Sequence, residues 1–506
     1  MRIRRNRDRS ANNEKTPENN IEISHSLQDN LTILQEQFKD CADIIMRNFK
    51  TAGGGSACMV YVNGLIDNNL VQRDVIPTLL NLKEDQFGEL KDRDIFPTIQ
   101  YSKVFILETA IDYILKANTV ILIDGINYAL SFNLQDIETR AFNEPEVERI
   151  IKGPHDGFIE SVIKNISLLR RRVASSKLKV KMMTLGKRSK SDIAIIYMED
   201  IVNPEIVKRV EERIKNIEID NINGAGYIDQ LTSDSPYSLF PQYQGTERAD
   251  KAVANLMEGR ILILVGNTPV SLIVPVDFFQ FFQTPDDYNI NYFFGSFLRL
   301  LRFAGSAIAI LLPALYIALL TFHYQAVPLN LLVPLAESRS KIPFPPIVEA
   351  LIMEIAFELL REASIRLPTS LGPTIGIVGG LVIGQTAVQA GIVSNVMVVI
   401  VGITAIATFV VPQYDMGLVF RIGRFLTMIS AAIFGTVGIM VVILFAIAHL
   451  VTLESYGQPY FQPIAPFKLK DMKDIFFRLP LSMYSSRPGV ALPKDRTRGR
   501  GNIKRR

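Results

Sequence analysis

Three glutamates at a spacing of four, Glu354, Glu358 and Glu362, stand in a stretch otherwise apolar enough to enter a bilayer, "IVEALIMEIAFELLREASIRL" from Ile347 to Leu367. On an α-helix this spacing puts the three carboxylates on one face and Val348, Ile352, Ile355 and Leu359 on another, with Glu349 off the acidic row. Unpaired in lipid, they would cost several kcal/mol in total, at roughly 2.5–3.5 kcal/mol per charge, so exposure to lipid is excluded. Two arrangements stay open. The helix lies at an interface with its charges paired along it, Glu358 with Arg361 and Glu362 with Arg366, or the row faces a water-filled lumen, where carboxylate rings from several subunits attract cations. Pro345 and Pro346 lead the helix in and Pro368 stops it.

The next segment, "GPTIGIVGGLVIG", places Gly372, Gly376, Gly380 and Gly384 at an unbroken spacing of four. Such a face lets helices approach closely, so it reads first as a packing device. Gln385 and Gln389 continue the spacing as a polar stripe in an apolar span, and these two amides are candidates for lining a hydrated path. No residue set points to catalysis. "GGGS" at Gly53 has no following Gly-Lys-Ser/Thr, "GKRS" at Gly186 lacks the earlier glycine of a phosphate-binding loop, and His155-Asp156 sits in a turn with no nucleophile motif beside it. The two cysteines, Cys41 and Cys58, form no metal-ligand spacing and no disulfide framework. The chain therefore reads as a non-enzyme with no cofactor and no metal.

The elements that must carry these residues fall into two chemically different halves. The formal net charge of +4 over 506 residues argues against a nucleic-acid-binding domain, although both ends are rich in arginine. Up to about Asp277, four apolar runs read as buried strands: Met59–Val62, Thr119–Ile123, Ile193–Tyr197 and Ile261–Val265. They form two similar pairs, in which the first strand leads into a charged helix and the second turns at a glycine into another short strand. This reads as two related α/β subdomains, with chance likeness between two α/β units as the competing explanation. Gly153-Pro154 breaks a helical linker between them. The first thirty residues hold no apolar core followed by a cleavage site, so this half is expected in the cytoplasm.

After Asp277 come long uncharged runs. Phe303–Phe322 gives twenty residues, enough for a hydrocarbon core of roughly 30 Å. Thr374–Val411 is long enough for two passes, and Phe425–Ala448 gives another. Lysine and arginine bias, with Arg299 and Arg302 before the first span, puts both ends on the cytoplasmic side, although Arg421 and Arg424 before the last span then fall on the outer face or inside the bundle, where only pairing or a wet cavity accounts for them. The expected fold class is an α/β soluble N-terminal region followed by a polytopic α-helical membrane domain. Its divisions are a disordered basic tail 1–28, subdomain 29–148, helical linker 149–176, subdomain 177–276, membrane domain 277–449 and cytoplasmic tail 450–506. The spans fall near 303–322, 374–391, 395–411 and 425–448, with the acidic helix 347–367 embedded or interfacial.

From about Leu31 to Pro493 the chain resembles the A subunit of the GerA-type spore germinant receptor family. The likeness rests on "VERIIKGPHDGFIE", "SPYSLFPQYQGTERADK", "PVDFFQFFQTPDDY", "FLRLLRF" and "IPFPPIVEALIMEIAFELLREASIRLP" followed by "IGIVGGLVIGQTAVQAGIVS". Ala249 and Pro373 depart from its usual residues. The resemblance implies a multi-pass subunit of a spore inner-membrane complex that starts germination when nutrients appear. It implies a transporter-like B subunit and a lipoprotein C subunit as partners, and a homo-oligomer, proposed in the family to be a pentameric channel for monovalent cations. A non-conducting scaffold and a proton-coupled transporter are the alternatives, as is a paralogue acting with the dipicolinate-release channel.

Overall fold

The computed structural model describes residues 21–51, 54–80, 100–135, 144–145, 147–366 and 372–499. Most of the basic N-terminal stretch and residues 500–506 of the C-terminal one lie outside the described residues. The chain divides into two compact units, residues 1–140 with 163–181, and 141–162 with 182–506.

In the first unit, helix α1 (Leu27–Gln37) precedes a sheet of β1 (Ile44–Lys50), β2 (Ser56–Val62), β3 (Tyr101–Val104), β4 (Thr119–Ile123) and β5 (Ala129–Phe132). Helix α2 (Leu107–Leu115) lies between β3 and β4, and α3 (Val162–Arg172) returns to this unit from later in the chain. The strand order is β1-β2-β4-β5-β3 and the pairings are antiparallel. β4 is buried at every position and apolar after Thr119 because both sheet faces are covered, so Val120 and Leu122 enter one core cluster and Ile121 and Ile123 the other. Arg170 of α3 is sealed against Asp43 by two charge-assisted hydrogen bonds, 2.8 and 2.9 Å long.

After residues 141–162, the second unit resumes at Met182 within β6 (Leu178–Leu185) and continues with β7 (Ser191–Met198), α4 (Pro204–Lys215) and α5 (Ala225–Thr232). Asn203 caps α4 by accepting from Glu205 N, Pro204 occupies its first turn, and Ile206, Val207, Val210 and Ile214 form its buried stripe. β8 (Gln244–Thr246), α6 (Ala249–Leu256), β9 (Ile261–Val265) and β10 (Ser271–Val274) complete a sheet of order β6-β7-β9-β10-β8. This is the order of the first sheet, strand for strand, and the four apolar runs are the corresponding members β2, β4, β7 and β9. The linker between the sheets is helical only over α3. Around Gly153, whose φ is +141°, the chain is irregular, and Pro154 removes a backbone donor there.

Six helices of eleven residues or more follow among the described residues: α7 (Tyr292–Thr321), α8 (Leu329–Arg339), α9 (Pro346–Arg366), α10 (Gly372–Gln389), α11 (Asn395–Phe409) and α12 (Tyr414–Thr452). Asn291 caps α7, and Pro313 lies within it. α7 and α12 are long and apolar enough to cross a membrane, with mean hydropathy of 2.2 and 2.6 in their most apolar windows. The uncharged run Phe425–Ala448 is not one rod. Gly435, with φ 61° and ψ −141°, stands in a region that only glycine adopts readily, and it breaks α12 into two arms. A Cβ on Gly438 would collide with the carbonyl of Ser430, so the second arm doubles back on the first. Accordingly Met416, Val419 and Phe420 share a core cluster with Leu450 and Leu453. Composition hides this turn because no charged or turn-forming polar residue marks it.

The segment after α12 is a folded part of this unit rather than a tail. β11 (Glu454–Ser455) and β12 (Gln458–Pro459) form a hairpin, and Tyr456 fills the core of the second sheet against Tyr243, its hydroxyl joined to the Tyr243 hydroxyl. Further on, Arg478 donates to Ile290 O and Arg487 to Met257 O, each at 2.7 Å. The apolar residues Tyr456, Tyr460 and Ile475, buried to within a few per cent, outweigh the basic composition.

Candidate functional site

Helix α9 begins at Pro346 and presents four carboxylates in four different environments. Glu349, off the acidic row, is fully buried; it accepts from Ser394 N at 3.0 Å and pairs with Arg339 at 3.0 Å. Ser394 is the N-cap of α11, so this carboxylate stabilises a helix N-terminus, where backbone donors and the helix dipole favour negative charge. Glu354, 1% exposed, pairs with Arg424 at 3.1 Å. Glu358 pairs with Arg421 at 2.9 Å and with Arg424 at 3.0 Å. Glu362 stays exposed and pairs with Arg366 at 2.6 Å, one turn along the same helix.

The reason lies in helix geometry. At 3.6 residues per turn, a spacing of four advances about 40° beyond a full turn at each step, so Glu362 has rotated about 80° away from Glu354. One end of the row therefore meets α12 and the other leaves it. The expected pairing of Glu358 with Arg361 along the helix is replaced by pairing across to α12, while that of Glu362 with Arg366 is present. Arg421 and Arg424, whose place before the last span the sequence explains only by pairing or by lining a wet cavity, are the counter-charges of Glu354 and Glu358.

Gln385 and Gln389 of α10 are both exposed. On the same helix, a Cβ at Gly384 would lie 3.3 Å from Val398 of α11, and one at Gly380 3.9 Å from Phe357 of α9. These two glycines therefore sit where α10 meets its neighbours closely, and the two glutamines are uncovered. Gly372 and Gly376 fall in the first turns of α10, whose surroundings lie outside the described residues.

Sequence reasoning took Arg299 and Arg302 as a flanking charge bias and missed their packing. Arg299, fully buried, pairs with Asp287 at 3.2 Å and with Asp474 at 2.7 Å, and Arg302 pairs with Asp287 at 2.8 Å. This network joins the start of α7 to the C-terminal segment. Asp287 stands in a capping box with Thr284, a Thr-x-x-Asp variant readable in "TPDD". Elsewhere, His155 Nδ1 lies 2.9 Å from Glu144 on the surface. Cys41 and Cys58 are free and buried, and burial pushes the Cys58 thiol up to about 11. Among the described residues no group of histidine, cysteine and carboxylate side chains is arranged to hold a metal.

A family profile described as "Bacillus/Clostridium GerA spore germination protein" matches residues 32–490. The chain is 40% identical to "Spore germination protein B1" of Bacillus subtilis (strain 168), covering 95% of this chain and 100% of that protein. It is 38% identical to "Spore germination protein A1" of the same organism, covering 91% and 95%. A crystal structure of the N-terminal domain of the A subunit of the Bacillus megaterium spore germinant receptor GerK3 aligns at 30% identity and a TM-score of 0.41, covering 51% of this chain and 98% of that one. With a family profile spanning both sheets and all six helices, and relatives alike from end to end, the chain belongs to the GerA family of spore germination proteins.

Proposed function

We propose that this chain is a membrane subunit of a nutrient-triggered spore germinant receptor and, as a homo-oligomer in the spore inner membrane, supplies its path for monovalent cations. Its partners in this reading are a transporter-like B subunit and a lipoprotein C subunit, and both of its ends lie on the inner side. In this reading α7, α9, α10 and α11 each cross the bilayer once and α12 crosses out and back, an even number of passes that keeps both ends on the inner side, while the 11-residue α8, about 16 Å long, stays at the surface. Glu362, Gln385 and Gln389 border the path. Glu354 and Glu358, held by Arg421 and Arg424, fix α9 against α12 beside it.

The observation that carries this reading is the two-sided character of α10, an apolar helix whose glycines at 380 and 384 meet neighbouring helices while two amides stay uncovered. Amide groups facing lipid without partners are costly, so they call for water or for a second copy of the chain. The test is cation flux in proteoliposomes holding the purified complex, comparing wild type with Glu362→Gln and with Gln385→Leu/Gln389→Leu. The glutamine-free path is expected to lose most of its conductance and the Glu362 variant its preference for cations over anions. Flux unchanged in both variants removes these residues from the path, and no flux in the wild type favours a non-conducting scaffold.

A further inference from the structure

Between α9, α11 and α12 lies a cavity of about 520 Å³, within the range of small-ligand sites, about 300–1,000 Å³. Five charged side chains line it: Glu354 and Glu358 against Arg361, Arg421 and Arg424. Two carboxylates face three guanidiniums, which leaves one positive charge without a counter-charge in the lining. The cation left over is Arg361. It makes no ion pair among the described residues and lies against Phe409, with the guanidinium carbon 4.2 Å from the ring centroid. Arg424 Nε, buried beside it, has no hydrogen-bond partner among the described residues. Tyr414, below Arg421, adds a phenol, while Leu360 and Ile365 make the remaining wall apolar.

We propose that this cavity binds a single anionic phosphate group, held by Arg361 and Arg421, with the headgroup of an anionic phospholipid as its source. A planar guanidinium offers phosphate two parallel donors, and basic pockets between membrane helices on the cytoplasmic side are suited to such headgroups. The apolar wall beside Phe409, which is 73% exposed, would accept the start of an acyl chain. The proposal rests on the membrane placement of the helices, and the experiment separates the two.

The chain contains no tryptophan, so Phe409→Trp makes a single fluorescent reporter in the full-length protein. It is reconstituted with brominated phosphatidylglycerol or brominated phosphatidylcholine at equal mole fraction. Preferential quenching by the phosphatidylglycerol is expected, reduced on the order of fivefold in apparent affinity by Arg361→Gln and retained by Arg361→Lys, the factor one cation contributes beside an anionic headgroup. Leu444→Trp, on an exposed apolar position of α12, is the control for membrane placement. If neither lipid quenches it, the bilayer reading fails. If both quench it while Phe409→Trp shows no preference, and inorganic phosphate raises the thermal midpoint of wild type but not of Arg361→Gln, the anion is a free phosphate and the site stands. No preference and no phosphate effect overturns the proposal.

Discussion

Replacing Arg424 by methionine tests the charge network most directly. The substitution keeps side-chain length and removes the one ion-pair partner that Glu354 has among the described residues, while Glu358 keeps Arg421 at 2.9 Å. A charge stranded near a membrane-helix centre costs roughly 2.5–3.5 kcal/mol on insertion scales, and breaking a buried pair in a protein interior costs about 3–5 kcal/mol. With Glu354 only 1% exposed, water cannot relieve it, so Arg424→Met is expected to cost about 3 kcal/mol. Glu354→Leu is milder, about 1–2 kcal/mol, because Arg424 still holds Glu358 at 3.0 Å. The double variant leaves Glu358 with Arg421 and no stranded charge, and should return to within about 1 kcal/mol of wild type. The assay is equilibrium unfolding in mixed micelles, followed by circular dichroism because tryptophan is lacking. Single effects that simply add, or a coupling near the roughly 0.6 kcal/mol of an average polar contact between membrane helices, would refute the view that this pair is sealed and mutually dependent.

Two further outcomes follow from the fold. Burial, opposed by a hydrogen bond from Ser233 and reinforced by Asp415, pushes the Asp229 carboxyl of α5 up from 3.8 to about 6. A raised carboxyl stabilises the protein below pH 3.8, and that stability is lost as pH rises through 6. Asp229→Asn should therefore raise the thermal midpoint at pH 8, by an amount equivalent to at most about 3 kcal/mol at 1.36 kcal/mol per unit, and leave it unchanged near pH 3.5. An equal gain at both pH values would exclude the carboxyl's ionisation as the cause. For α12, single cysteines at Thr436, Tyr414 and His449 in a background lacking Cys41 and Cys58 should divide by side. An impermeant maleimide is expected to label the first from outside and the other two only from inside; a continuous 39-residue rod, about 58 Å long, would put Tyr414 and His449 on opposite faces.

The strands were legible because a core covered on both sides demands near-continuous apolar residues, as in "TVILI" and "ILILV", and their pairing into similar halves emerges as one strand order used twice. Helix α9 was legible from its prolines. Its ion pairs were not, since Glu358 and Arg424 lie 66 residues apart and a spacing of four conceals a slow rotation around the helix. The turn at Gly435 was invisible because within an apolar hairpin nothing polar is required to mark a reversal. The C-terminal segment misled through its basic composition: Lys470 and Lys473 stay on the surface, but Arg478 is buried, and the few aromatic rings that decide the segment's placement are spread among these charges.

The ring of Tyr456 has a consequence for how the protein is made. All five strands of the second sheet have left the ribosome by Val274, yet the side chain that completes their core is encoded roughly 180 residues later, on the order of 10–40 s at about 5–20 residues per second. In the membrane placement proposed above, the intervening helices insert during that interval and the last of them returns across the bilayer. Maturation of an upstream domain is thereby made to wait on successful translocation, so a chain that inserts wrongly keeps an unfinished interior open to proteolysis and quality control.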